Sequence, residues 1–328
     1  MNYIVSWFYL EEKGNESSYA QVSAKSTSRK FQDTYWKCIV SFYYTSIIKN
    51  KSAKHVFYTN SKNIPIVDGF DVEEFFKSHN IEVRMQELTN KTPLDWHGAW
   101  RNQFYVFDIL ADLSSSVNED DSVIILDSDC IVNTELDELF KEIQDGGLVS
   151  YLIGYEKNHI INGINTLQMR ELYKQFYKES SDIEYYGGEF IGINGACIKE
   201  LLREYKYLWE QNYCNYKENK IKLNEEAHFL SMLYHRLNLA NDLGNKHIKR
   251  IWNGLNYNNV QENDKYLDIY HLPAQKTTGF SYFFQKIIKE KRRYTSKDLI
   301  KIFDINIKKN KVRVLKEILT KLIFKYKA

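Results

Sequence analysis

VIILDSDCIVN, residues 123–133, decides the fold class because it joins a strand-like run directly to a pair of carboxylates. Residues 123–126 are all apolar, a pattern typical of a parallel-sheet strand that is buried on both faces. Asp127 and Asp129 follow at once, which predicts both carboxylates at the carboxyl end of that strand. Ligands of open α/β sheets bind at this edge. We therefore expect a ligand site immediately after residue 126.

Two carboxylates at positions i and i+2 form a hard-oxygen site. Such a site suits Mg²⁺ or Mn²⁺. An ion held there could bind and neutralise the oxygens of an anionic ligand. Isolated D-x-D triplets usually lie in solvated turns, so the prediction that Asp127 and Asp129 hold a metal depends on their position after the buried strand.

Strand-like and helix-like patterns alternate over the first half of the chain. Strands are predicted at residues 4–10, 55–58, 81–88 and 123–126, and helices at residues 31–48, 72–79 and 99–113. Further helices are predicted near residues 169–177, 198–211 and 225–236. This alternation predicts an α/β fold whose central, mostly parallel sheet is built by right-handed crossovers and flanked by helices.

Composition excludes several classes of protein. Of the 328 residues, 43 % are apolar and 27 % are charged, which is ordinary for a folded chain, and a net charge of +2 does not favour nucleic acid as a partner. The four cysteines form no CxxC pair, so neither a zinc site nor a disulfide framework is expected. The N-terminus resembles no signal peptide, and no apolar run is long enough to span a bilayer, so we expect a cytoplasmic protein.

Domain organisation is predicted as one main domain, residues 1–285, and a basic helical extension, residues 286–328. In the tail, an apolar stripe at helical spacing comprises Val312, Leu315, Ile318, Leu319, Leu322 and Ile323. Lysines and arginines surround the stripe, with Glu317 the single acid from residue 308 onward. A basic amphipathic helix of this kind can lie on an anionic membrane surface, and the alternative is that it packs its stripe on the domain.

The segment at 123–133 resembles the strand–DxD–strand signature of glycosyltransferases with the GT-A fold, which bind nucleotide sugars. Upstream, AWRNQFYVFDIL (99–110) resembles the helix that precedes this signature in several retaining families. There an arginine contacts the donor, and the match falls on Arg101. The alternative for Arg101 is a surface position at the start of a helix.

A second resemblance covers DIEYYGGEFIGINGACIKELL (182–202) and NEEAHFLSML (224–233). Both are similar to motifs of the retaining family that contains the blood-group galactosyl- and N-acetylgalactosaminyltransferases. The resemblance implies that Glu226 is the essential carboxylate. It also implies a sugar or acceptor pocket formed by Tyr186, Gly187, Gly188, Glu189, Glu225 and His228.

The chemistry of these residues agrees with those roles. Glycines at 187 and 188 would let the backbone approach a sugar closely. A carboxylate beside an anomeric carbon can stabilise an oxocarbenium-like centre, or act as nucleophile or base. The alternative for Glu225 and Glu226 is that they are acids in the first turn of a helix, where the helix dipole favours them.

A third resemblance lies in IYHLPAQKTTGF (269–280), which is similar to a C-terminal element of glycogenin-like transferases. The match implies that His271 completes the metal shell and that Lys276 holds the diphosphate. Pro273-Ala274 stands where that family has a glycine, which is a departure from the pattern. The alternative for His271 is a histidine that caps the end of a strand.

Together these resemblances imply a glycosyltransferase that moves a hexose or N-acetylhexosamine from a UDP-sugar to a glycan or lipid-linked acceptor. Retention of configuration is favoured, and inversion with Glu226 as base stays open. A Lys-, Asn- and Ile-rich composition and the basic tail favour capsule, lipopolysaccharide or other surface-glycan synthesis at the inner face of a bacterial membrane. Two rival functions are a sugar nucleotidyltransferase and a non-catalytic glycosyltransferase-like binding subunit.

Overall fold

The computed structural model of the protein describes residues 1–17, 22, 24–96, 101–254, 257–290, 292–308, 315, 318 and 319. The strands are β1 (Asn2–Phe8), β2 (Lys54–Thr59), β3 (Ile66–Val67), β4 (Phe70–Asp71), β5 (Glu82–Met85), β6 (Ser122–Leu126), β7 (Cys130–Val132), β8 (Leu148–Val149), β9 (Phe190–Asn194), β10 (Ile248–Arg250) and β11 (Ile269–His271). The α-helices are α1 (Arg29–Lys49), α2 (Val72–Ser78), α3 (Tyr105–Ser116), α4 (Asp137–Gly146), α5 (Thr166–Tyr177), α6 (Gly195–Lys217), α7 (Glu226–Arg236), α8 (Gly279–Glu290) and α9 (Ser296–Phe303).

The main sheet has the strand order β5-β2-β1-β6-β9-β8 and is mostly parallel, as predicted. Strands β1 and β6 run parallel, with Val5 opposite Ile125 in the register. All five residues of β6 are buried, which confirms the prediction of a strand covered on both faces. Its carboxyl end therefore delivers the chain straight from the sheet interior to Asp127 and Asp129.

Two smaller sheets complete the strand pairing of the described residues. One has the order β10-β11-β7, in which β10 and β11 are parallel and β11 and β7 are antiparallel. The other pairs β3 with β4 as a short antiparallel hairpin. The three-stranded sheet matters for function because β7 follows the two aspartates directly.

Most predicted helices are present, but one begins later than expected. Helix α1 starts after Ser28, whose side chain accepts the backbone N–H of Phe31, and so satisfies an otherwise unpaired donor. Helix α3 begins at Tyr105 and not at residue 99, and Arg101 lies in a turn before it. In this turn the buried Gln103 side chain donates to the carbonyl of Asn224 at 3.2 Å. Residues 99 and 100 of the expected helix lie outside the described residues.

The chain divides into two compact units, each made of three separate segments. Unit 1 contains residues 1–5, 85–125 and 137–245. Aromatic rings of α3, α6 and α7 pack in its core. The rings of Phe107 and Tyr205 stack with centroids 3.7 Å apart, and Phe104 meets Phe229 edge-on at 5.1 Å. This packing holds α7, the helix that begins at Glu226, against α3 and α6.

Unit 2 contains residues 6–84, 126–136 and 246–328. Its core cluster includes Cys38 of α1, Ile131 of β7 and Tyr270 of β11. Residues of α8 and α9, Phe283 and Phe303 among them, belong to the same cluster. The boundary that we expect between residues 285 and 286 stays a prediction.

Of the predicted basic extension, residues 286–290 and 292–308 are described, whereas most of residues 309–328, which contain the apolar stripe, lie outside the described residues. Leu315, Ile318 and Leu319 are described, and they are helical with exposed side chains. Within the described part of the chain, no helix combines the length and the apolar character that crossing a bilayer requires.

Candidate functional site

The first candidate centre lies in unit 2, where the turn after β6 meets the end of β11. The backbone N–H of Cys130 donates to the carbonyl of Asp127 at 3.2 Å, which turns the chain into β7. In the antiparallel pairing of β7 with β11, His271 lies opposite Cys130. The N–H of Leu272 then donates to the carbonyl of Asp129 at 2.9 Å. This register brings His271 to the two aspartates although it is distant in sequence.

Asp127, Asp129 and His271 fit a divalent ion. Each offers one ligand atom, and these atoms lie within 4.8 Å of one another. His271 Nε2 is 3.2 Å from Asp129 Oδ2 and 3.8 Å from Asp127 Oδ2. Ligands held at about 2.1 Å in octahedral geometry would be roughly 3 Å apart when adjacent, so only small adjustments are needed. One imidazole and two carboxylates suit Mn²⁺ or Mg²⁺.

Burial differs between the two aspartates. The side chain of Asp127 is 37 % exposed, whereas that of Asp129 is 3 % exposed. Asp127 is thus the member of the pair that faces solvent, where water and a ligand's phosphate oxygens can complete an ion's coordination. Asp129 is the inner anchor of the cluster.

Lys276 is a fourth member of this centre, and it contacts Asp129 directly. Its Nζ is 2.5 Å from Asp129 Oδ2 and 5.5 Å from the centre of the Tyr35 ring. Burial alone would raise the pKa of the Asp129 carboxyl, but the charges of Lys276 and His271 outweigh burial and hold that pKa well below its ordinary value. Burial alone would lower the pKa of Lys276, and Asp129 reverses this and raises it. Both groups are therefore charged at neutral pH.

The second candidate centre lies in unit 1, at the start of α7. Glu226 is the first residue of the helix, and its carboxylate lies against Gly188. A Cβ atom built on Gly188 would be 2.6 Å from Glu226 Oε1. Similarly, a Cβ on Gly187 would collide with the carboxylate of Glu189. A side chain at either position would therefore have to displace one of the protein's own carboxylates.

Glu225, the N-cap residue of α7, is held in a buried network. Its carboxylate accepts hydrogen bonds from the Tyr185 hydroxyl at 2.8 Å and from the Asn162 amide. His228 Nε2 lies 3.4 Å from Glu225 Oε1, while His228 Nδ1 accepts the backbone N–H of Asn224. That second bond assigns the ring proton to Nε2, facing Glu225. These contacts explain why Glu225 makes no side-chain capping bond to its own helix.

Sequence patterns did not single out Asn162, although a local signal for its conformation is present. Residues 161–164 read INGI, and Ile161 and Ile164 form an antiparallel bridge. Asn162 and Gly163 both have positive φ, 44° and 93°, as a two-residue hairpin turn requires. Asn-Gly is the preferred sequence for such a turn, but nothing local indicates that its amide reaches Glu225.

The other residues predicted for the sugar or acceptor pocket are mainly buried. Tyr186 is buried, and its N–H donates to Ser231 Oγ of α7 at 2.9 Å. His228 is 0 % exposed and Glu189 is 3 % exposed. Arg101 donates to the carbonyl of Leu94 at 3.1 Å. The sugar, acceptor and donor roles of these residues stay predictions.

Comparisons with known proteins bear on the fold. No protein-family model matches the chain, and no curated protein matches it. The WbbM bifunctional glycosyltransferase in its apo form is similar to this chain, with a TM-score of 0.53 and 11 % identity. The similarity covers 95 % of this chain and 51 % of that one, so the chain spans about half the length of WbbM.

Two further solved structures show weaker similarity. Apo mouse xyloside xylosyltransferase 1 has a TM-score of 0.42 and 12 % identity, over 83 % of this chain and 97 % of that chain. An active-site mutant of LgtC has a TM-score of 0.48 and 13 % identity, over 88 % and 96 %. The sheet order and the WbbM similarity together confirm the predicted GT-A fold.

Proposed function

We propose that this protein is a metal-dependent glycosyltransferase that takes a hexose or N-acetylhexosamine from a UDP-sugar. The observation that carries the proposal is the cluster of Asp127, Asp129, His271 and Lys276 at the end of a buried strand of a GT-A fold. Two anions and an imidazole beside an ammonium suit a metal-bound diphosphate. A nucleoside diphosphate is the leaving group of such a transfer.

Each residue of the cluster has a distinct task in this proposal. Asp127, Asp129 and His271 would hold Mn²⁺ or Mg²⁺, which supplies positive charge to the departing diphosphate. Lys276 adds a second positive charge, and its ammonium can donate hydrogen bonds to the diphosphate oxygens. Arg101 is proposed, on its sequence resemblance alone, as a further donor contact.

Glu226 is proposed as the carboxylate that acts on the sugar. Its support is the sequence resemblance; in the structure Glu226 is the first residue of α7, and its carboxylate lies against Gly188. Retention would use Glu226 to stabilise or trap the anomeric centre, and inversion would use it as base towards the acceptor hydroxyl. The stereochemistry of the product, read by NMR, separates the two.

The acceptor is proposed to be a glycan or a lipid-linked glycan of a bacterial surface polymer, made at the inner face of the membrane. The support is the basic, amphipathic pattern of the tail, which suits an anionic lipid surface. Truncation after residue 307 tests this role. Unchanged vesicle binding and unchanged use of lipid-linked acceptors would remove it.

A donor screen tests the activity. The protein is incubated with Mn²⁺ and each common UDP-, GDP-, CMP- and dTDP-sugar, and the release of free nucleotide is recorded. We expect hydrolysis of a UDP-sugar that EDTA abolishes and that Asp129→Asn reduces by at least about 100-fold. Asp145→Asn is the matched control, because Asp145 is exposed and pairs only with Lys141 of its own helix among the contacts described.

The screen also separates the rival functions. Pyrophosphate release from UTP and a sugar phosphate would identify a nucleotidyltransferase. Nucleotide binding without turnover of any donor would identify a binding subunit. If the protein neither binds a nucleotide nor turns over any donor, the proposal is refuted.

A further inference from the structure

The ammonium of Lys276 contacts a carboxylate oxygen that a metal ion in this centre would need as a ligand. Asp129 Oδ2 lies 3.2 Å from His271 Nε2, nearer than Asp127 Oδ2 at 3.8 Å, and the same Asp129 oxygen contacts Lys276 Nζ at 2.5 Å. The oxygen best placed to share an ion with His271 is therefore already bound by a cation. An ion and the ammonium would compete for that oxygen.

The contact is buried, which makes the competition strong. Asp129 is 2 % exposed and Lys276 is 8 % exposed. Charges that water does not screen attract or repel each other much more than exposed charges do. Lys276 also lies over the ring of Tyr35, which attracts a cation through its π face. The ammonium is thus held in this position by two separate attractions.

We propose that Lys276 is the resident counter-ion of Asp129. A divalent ion and a nucleoside diphosphate must bind together to release the Lys276 ammonium from Asp129. A divalent ion alone would have to displace the ammonium or bind beside it, and it would meet charge repulsion. A diphosphate offers the displaced ammonium a new anionic partner. The inference rests on the proposed function, since it assumes that Asp127, Asp129 and His271 hold the ion.

Coupling of this kind has a measurable consequence. Metal affinity is low without nucleotide and high with it, and by linkage the metal strengthens nucleotide binding by the same factor. Bridging of an ion by diphosphate oxygens would also produce coupling, so coupling alone does not implicate Lys276. The distinguishing feature is the effect of removing the ammonium. Without Lys276, metal alone should bind more tightly, because Asp129 becomes an uncompensated buried anion.

The test is calorimetric titration of the full chain with Mn²⁺, without and with saturating UDP. Lys276→Met keeps the length and much of the volume of the side chain but removes the charge. We expect Lys276→Met to bind Mn²⁺ alone at least about tenfold more tightly than the unmodified protein does. The factor by which UDP tightens Mn²⁺ binding should be at least about fivefold smaller in Lys276→Met than in the unmodified protein. Lys286→Met is the matched control, since Lys286 pairs with Glu290 on the surface of α8.

The possible results separate this inference from the proposed function. If Lys276→Met binds Mn²⁺ alone no more tightly than the unmodified protein does, the counter-ion role is wrong. If the unmodified protein binds no Mn²⁺ with or without UDP, the metal site itself is wrong, and the proposed function fails with it. Should Lys276→Met fail to fold, Lys276→Gln is titrated under the same criteria, because glutamine is neutral and retains a donor for Asp129.

Discussion

Replacing Gly188 with alanine should displace the carboxylate of Glu226 while leaving the fold intact. The added Cβ would be 2.6 Å from Glu226 Oε1 and 3.2 Å from its Cγ and Cδ atoms. An ordinary contact needs about 3.4 Å, so the carboxylate must withdraw by roughly 0.8 Å. The obstructing atom is the end of a flexible side chain, and the backbone need not move.

A displacement of this size has a large effect on a group that must meet a reacting atom. A misplacement of about 1 Å can cost about 100-fold in rate. We expect Gly188→Ala to lower kcat for sugar transfer by about 30- to 100-fold, which corresponds to about 2 to 3 kcal/mol of transition-state stabilisation. The melting temperature should change by less than about 3 °C.

The assay is steady-state turnover of the best donor, with kcat and KM measured for Gly188→Ala, Glu226→Gln and Gly154→Ala. Gly154 is the matched control, because no atom lies within 4 Å of a Cβ built there. If Gly188→Ala keeps kcat within threefold while Glu226→Gln loses it, the geometric reasoning is refuted. If both variants are fully active, Glu226 has no catalytic role.

Three further predictions concern stability, each measured by urea unfolding. Burial lowers the pKa of His55 to about 4, so the imidazole is protonated more readily in the unfolded chain than in the folded one. The free energy of unfolding should therefore fall by about 2 to 3 kcal/mol between pH 7 and pH 4.5. His55→Gln should remove that part of the pH dependence, and an unchanged slope would contradict the assignment. Glu225→Ala leaves the Tyr185 hydroxyl and the Asn162 amide without their acceptor, and should cost about 2 to 4 kcal/mol; Tyr185→Phe, which removes one bond, should cost less. Phe107→Ala removes a stacked ring from the core of unit 1, and should cost about 3 to 5 kcal/mol, against about 1.5 for Phe107→Leu.

The elements that sequence predicted well are those with a continuous local signal. Four of the five buried residues of β6, those at 123–126, form an uninterrupted apolar run, and α1 has apolar residues at helical spacing along its length. The start of α3 was predicted too early, because Phe104, which immediately precedes the helix, lies at helical spacing from Phe107. There the side chain of Gln103 is committed to Asn224, a contact with a distant segment that no local pattern contains.

The residues of the candidate site also divide into those with a local sequence signal and those without one. Asp127 and Asp129 were predictable because the strand before them and the triplet itself are adjacent in sequence. The proximity of His271 was expected from a resemblance, and the antiparallel register of β11 on β7 accounts for it. The ion pair of Lys276 with Asp129 was not expected, since the resemblance assigned that lysine to the diphosphate.

Sequence by itself therefore determined the alternation of strands and helices, the buried strand, and the pair of carboxylates at its end. These features depend on residues that are neighbours along the chain, whose spacing is set by the geometry of the strand and the helix. Only the tertiary structure decided that Lys276 neutralises Asp129, and that Asn162 and Tyr185 hold Glu225. Such contacts join segments far apart in sequence, and they arise from strand register and side-chain packing that become defined only when the whole chain is folded.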